Sequence, residues 1–126
     1  MLQREQTSSA SAPITVGGAA WFKVGWIVLV VAAALMTLNH AVLIVALAEP
    51  TLFVGFTAFN LYALVVLLIP FRRRERWSWW ATWILPAGLA APAFADPNLA
   101  LFYTAAAAAC VAGLLLSLRT FVATDR

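Results

Sequence analysis

Residues 69–83 read Ile69-Pro70-Phe71-Arg72-Arg73-Arg74-Glu75-Arg76-Trp77-Ser78-Trp79-Trp80-Ala81-Thr82-Trp83. Arg72, Arg73, Arg74, Glu75 and Arg76 stand together in a chain that is only 10% charged and 64% hydrophobic. Charged side chains are costly in hydrocarbon, so the run must lie outside it. The tryptophans that follow prefer the headgroup region, where an amphipathic ring has one apolar and one wet side. The stretch therefore reads as a turn at one membrane face, with an apolar helix on either side.

Working outward, both flanks are long apolar runs. Soluble domains are nearer half apolar and a quarter charged. A chain of 126 residues cannot bury the excess in its own core. Its outer surface must be apolar, and the surrounding solvent is then lipid. The mean hydropathy of +0.93 agrees.

The second span runs from Thr51 to Ile69 and stops at Pro70. The third runs from Trp77 to Ala95 and contains Pro86, Gly88 and Pro92, which predict a kink and freed carbonyls at Thr82 and Gly88. Asp96-Pro97-Asn98 is a turn and a helix start, with Asp96 at the cap and Pro97 in the first helical position. The fourth span continues to about Leu118. The first apolar run, Val24 to Ala48, exceeds the length that a bilayer requires and should tilt or protrude. Ala46-Leu47-Ala48 has the small-residue form of a signal-peptidase site, but the run before it is too long for a signal peptide. The predicted organisation is a flexible tail over 1–22, a transmembrane domain over 23–119 and a short tail over 120–126. Short loops make successive helices antiparallel neighbours. The fold class is all-α membrane: four transmembrane helices in an up-down-up-down antiparallel bundle, the third helix kinked.

With four spans, Arg4, Lys23, Arg72, Arg73, Arg74, Arg76, Arg119 and Arg126 all fall on one side. The opposite loops carry Glu49 and Asp96 and no basic residue. The positive-inside rule then places both termini and the basic turn in the cytoplasm of a cell whose inner membrane holds the chain. The formal charge of +3 is thus gathered beside a membrane surface. Anionic lipid headgroups are the expected partners, and nucleic acid is not. Arg72, Arg73, Arg74, Arg76, Trp77 and Trp80 are the candidate headgroup contacts.

The stretch Phe71 to Trp83 resembles the junction between the second and third spans of a group of small bacterial four-helix integral membrane proteins of unknown function. Their junction reads Arg-Arg-Gly-Glu-Arg-Trp-Ala-Trp. Arg74 stands where glycine is usual, and Ser78 where alanine is usual. The Gly113 to Phe121 stretch is similar too. The resemblance implies the four-helix membrane fold and brings no activity with it.

Three other small membrane families do not fit the residues. Small multidrug exporters carry a carboxylate deep in the first helix, and Glu49 is at its end. The Gly-Ala-X-X-Arg-Tyr signature of fluoride channels is absent. Quinone-linked thiol enzymes need paired cysteines, and Cys110 is alone.

Polar residues at membrane depth are functional candidates, because burying them there is costly. They are Thr37, Asn39 and His40 in the first helix, Thr57 and Asn60 in the second, and Tyr103 and Thr104 in the fourth. His40 lies ten residues before Pro50 and Asn60 ten after it. In an antiparallel hairpin both would sit about 15 Å from the turn, so a buried His40–Asn60 contact with a neutral imidazole is expected. No carboxylate pair, metal-ligand cluster or nucleophile–base pair accompanies them, so no catalytic residue, metal or cofactor is assigned. Ala105, Ala109, Gly113 and Ser117 recur every four residues, a small stripe that lets another helix approach.

Three functions fit these features. The first is a non-enzymatic protein that packs, forms homo-oligomers or assists a larger membrane partner. The second is a small oligomeric transporter or channel. The third is a membrane enzyme acting on a lipid or isoprenoid through His40, which would require a second acid–base group nearby.

Overall fold

The computed structural model describes residues 16–47 and 50–122. Residues 1–15, 48–49 and 123–126 lie outside the described residues, and with them Arg4, Glu49, Arg126, the Ala48 junction and most of both predicted tails.

Every described element is helical. Helix α1 spans Val16–Ala46 and α2 spans Pro50–Val66. A π-turn, Leu67–Phe71, extends α2 to the basic loop. Helix α3 is Arg76–Thr82, α4 is Ile84–Ala95 and α5 is Pro97–Val122. Three helices are each long and apolar enough to cross a membrane: α1, α2 with its π-turn, and α5. The fourth unit of the bundle is α3 and α4 together, and neither piece reaches that length alone.

Two boundaries differ from the sequence reading. Helix α1 begins at Val16, inside the segment read as a flexible tail over 1–22, because Val16 to Ala20 contains no helix breaker stronger than its two glycines. Its 31 residues measure about 46 Å, well beyond a hydrocarbon core of about 30 Å. Helix α5 likewise runs to Val122, past the predicted end at 119.

Regular helix in the third unit stops at Trp83, where the Trp83 N–H reaches the Trp80 carbonyl at 3.2 Å. It resumes at Ile84. Pro86 is then the third residue of α4, within the first turn, where a helix has unpaired N–H groups and tolerates proline. Pro92 lies inside α4.

Pro70 has no N–H to return to the carbonyl four residues earlier, and the chain meets it with the wider i→i+5 turn. The helix then closes with two backbone bonds, Glu75 N–H to Pro70 carbonyl at 3.0 Å and Arg74 N–H to Phe71 carbonyl at 2.9 Å. This is a Schellman ending, whose C′ residue must be left-handed and is usually glycine. That residue is Arg74, at φ 61°.

Helix α1 is the centre of the packing, with α2 on one side and α5 on the other; α4 packs on α5. The contacts of α1 with α2 and with α5 run in opposite chain directions. Trp26 meets Leu67 and His40 meets Asn60 across α1 and α2. Gly25 meets Gly113 and His40 meets Tyr103 across α1 and α5. The α1–α5 approach is close because glycine faces glycine: a Cβ on Gly25 would lie 2.5 Å from the Gly113 carbonyl oxygen and 2.5 Å from Ser117 Oγ. Of the small stripe, Gly113 and Ser117 take part in this contact, whereas Ala105 is exposed and Ala109 half-buried.

At the basic end the core is aromatic. Phe22 stacks on Phe71 at 5.9 Å, and Phe121 packs against both. Two tryptophans, Trp79 of the run after the basic turn and Trp26 of α1, serve as internal staples. Trp79 is 6% exposed and donates its indole N–H to the Leu114 carbonyl at 3.2 Å. Trp26 donates to the Leu67 carbonyl, in the π-turn, at 2.9 Å. Trp77 and Trp80 are exposed.

Candidate functional site

Each of the three inner helices presents one buried stripe. On α1 it runs Phe22, Leu29, Ala33, Met36, His40; on α2, Asn60, Ala63, Leu67; on α5, Tyr103, Cys110, Leu114, Ser117, Phe121. These spacings of three, four and seven are the helical repeat of a packed face. His40, Asn60 and Tyr103 are the polar members at the same end of their stripes, away from the basic turn. His40 lies about 9 Å from the end of α1 and Tyr103 about 9 Å from the start of α5, so the antiparallel pair brings them level.

The three side chains meet in the interior. His40 and Asn60 are 0% exposed and Tyr103 is 2% exposed. Asn60 Nδ2 lies 3.1 Å from His40 Nδ1, and His40 Nε2 lies 2.7 Å from Tyr103 Oη. The imidazole is also sandwiched by rings. Phe56 stacks on it at 5.1 Å between centroids and 18° between planes, with Tyr103 at 5.9 Å and Phe53 at 6.2 Å.

One backbone contact orients the Asn60 amide. Asn60 Nδ2 is 2.8 Å from the Phe56 carbonyl, which can only accept. The amide nitrogen, not the oxygen, must therefore face that way. Its other hydrogen is on the side of His40 Nδ1, and the imidazole also bonds the Met36 carbonyl one helical turn back. Tyr103 Oη, a hydroxyl, serves His40 Nε2 as donor or acceptor alike. Asn60 Oδ1 is buried with no protein partner.

The remaining polar candidates are not brought into this cluster. Thr37 donates to the Ala33 carbonyl and Thr57 to the Phe53 carbonyl, each at 2.7 Å. These are hydroxyls turned back onto their own helix, which satisfies them without a tertiary partner. Asn39 is half-buried and Thr104 exposed. Cys110 is buried and free. Among the described residues no group of three or more His, Cys, Asp or Glu side chains is arranged to hold a metal.

Sequence reasoning had Tyr103 among the polar residues at depth but did not connect it to His40. The signal was available in the count: His40 is six residues before Ala46, and Tyr103 six after Pro97. Gly25, the partner of Gly113, carried no such signal, because a lone glycine in an apolar helix does not announce which face it occupies.

At the other end Arg72, Arg73, Arg74 and Arg76 are exposed. The Arg72 guanidinium lies 5.7 Å over the Trp26 ring, and that of Arg74 4.9 Å over the Phe22 ring. The Glu75 carboxylate accepts the Trp77 indole N–H at 2.7 Å.

Compared with known proteins, the chain matches no family model, no curated protein and no solved structure. Its fold and site define it at the level of class: an all-helical protein with several helices able to cross a membrane and a buried polar cluster between three of them.

Proposed function

We propose that the chain is a non-catalytic, multi-pass protein of the cell membrane that works by packing, with its own copies or with a larger membrane partner. In this reading it is an up-down-up-down bundle with both termini and the basic turn in the cytoplasm, and the third span is kinked at Trp83. The observation that carries it is the His40–Asn60–Tyr103 cluster: the strongest polar group at depth is enclosed and joined to three helices. A group reached by neither water nor lipid acts as an interhelical clasp, each bond contributing about 0.6 kcal/mol and rarely above 1.7. The opposed contact order between neighbouring helices supports the up-down path, and the one-sided arginines support the orientation.

Copurification from native membranes, followed by mass spectrometry, tests the packing role directly. A defined partner or a homo-oligomer is the expected product; a lone polypeptide with no partner counts against it. The topology has its own test. Cysteines placed after Ala48 and after Asp96 should react with an impermeant reagent from outside, and those after Arg74 and Arg126 only once the membrane is opened. Outside labelling after Arg74 would invert the orientation.

One observation favours a second reading. Tyr103 Oη, 2.7 Å from Nε2, is the second proton-bearing group that chemistry at His40 requires. If His40→Leu accumulates normally in the membrane yet fails completely to complement a deletion strain, the cluster transfers protons rather than clasping helices.

A further inference from the structure

The turn between α2 and α3 ends in a left-handed residue that is not glycine. At φ 61° an L side chain is crowded against its own backbone, and glycine would sit there without strain. Strain of this kind persists where the side chain has a use. The Arg74 side chain folds back so that its guanidinium covers Phe22, which is itself stacked on Phe71. Two residues earlier, Arg72 covers Trp26 of the same helix. Trp26 is held in turn by its bond to the Leu67 carbonyl.

A guanidinium over a ring uses its face and keeps its in-plane N–H donors, the fork that matches phosphate oxygens. Among the described residues no carboxylate pairs with Arg72 or Arg74, and Glu75 is engaged by Trp77. Arg73, between them, has no ring contact. Trp77 and Trp80 flank the turn and are 53% and 69% exposed, suited to the headgroup layer.

We infer that Arg72 and Arg74, each laid on an aromatic ring of α1, form a site for the phosphate of an anionic phospholipid. The inference rests on the membrane reading above but not on its orientation. Lipid is the source of the phosphate because the ring-backed arginines and exposed tryptophans place the site where headgroups are densest. Diffuse attraction by a basic loop would treat every arginine alike; a built site does not.

The full chain in nanodiscs of mixed phosphatidylglycerol and phosphatidylcholine, equal in both leaflets, provides the test. Retained phosphatidylglycerol is counted by native mass spectrometry and its affinity taken by titration. Arg74→Gly should raise the unfolding midpoint, since it removes the strain, and should weaken phosphatidylglycerol binding about fivefold. Arg73→Ser should leave binding within about twofold, as for a charge outside the site. Millimolar inorganic phosphate should not displace the lipid. Equal losses for Arg73→Ser and Arg74→Gly would reduce the site to diffuse charge and overturn the inference. Unchanged binding in Arg74→Gly, or no gain in its stability, would overturn it as well. Displacement by inorganic phosphate would assign the arginines to a soluble anion instead. Because Arg74→Gly is expected to fold better, lost binding cannot be put down to misfolding, and loss of the packing role would show in copurification instead.

Discussion

Gly25→Leu should lower stability by about 3 kcal/mol and prevent α5 from docking on α1. The reason is where the new atoms would go. Even the first carbon of a side chain at Gly25 would lie 2.5 Å from the Gly113 carbonyl oxygen and 3.1 Å from Leu116 Cβ. The obstacle at Gly113 is backbone, which cannot swing aside like the end of a long side chain. Relief requires the two helices to separate along their length, and that opens the Leu29 and Leu114 packing beside them. Gly113→Leu should behave alike, its Cβ meeting the Gly25 carbonyl at 2.9 Å and Leu29 Cγ at 2.8 Å. Gly88→Ala should cost less, since it meets only the Phe59 ring, at 2.8 Å. Gly55→Leu is the control, because nothing lies within 4 Å of a Cβ there and lipid accepts the larger residue. Unfolding by steric trapping in bicelles measures the series. Equal losses for Gly25→Leu and Gly55→Leu would mean that the α1–α5 contact does not hold the fold.

Tyr103→Phe removes one oxygen atom, yet it should cost as much as His40→Leu, about 1–2 kcal/mol each. Tyr103→Phe leaves His40 Nε2 buried without its hydroxyl partner. His40→Leu removes two interhelical bonds, but the groups it leaves are less demanding: Asn60 keeps the Phe56 carbonyl, and Tyr103 is left as a hydroxyl that can rotate. Combining the two should cost little more than either alone, because the leucine no longer presents the ring nitrogen that the phenylalanine strands. The expected coupling is about 1 kcal/mol. The same unfolding measurement, run as a double-mutant cycle, reads it. Losses that simply add would show that the 2.7 Å contact contributes nothing to holding α1 and α5 together.

Arg74 illustrates how sequence and structure divide the information. The resemblance to junctions with glycine at this position marked it as unusual, and the backbone at φ 61° supplies the physical meaning. The phosphate site proposed above draws on both. The tryptophans divide similarly. Their clustering after a basic run reads as an interfacial belt, and Trp77 and Trp80 are exposed as that requires. Trp79, in the same run, turns inward to the Leu114 carbonyl, as Trp26 of α1 does to that of Leu67. The direction depends on helix phase relative to neighbours, which composition does not encode.

What the sequence determined by itself is set by solvent. Lipid demands long apolar runs and excludes charge, so helix existence, approximate helix ends and the gathering of charge at one end are all legible from a one-dimensional pattern. In the third unit regular helix breaks at Trp83, three residues before Pro86, where a first-turn proline costs nothing. The tertiary structure alone decided which faces meet. In an apolar helix nearly every face is apolar, so amphipathicity does not point to the interior as it does in water. The glycine opposite Gly113, the phenol beside His40 and the carbonyl that orients Asn60 are matters of rotation and close approach between helices. Those are decided by steric fit and by the need of a few polar groups for partners, and both require all the helices at once.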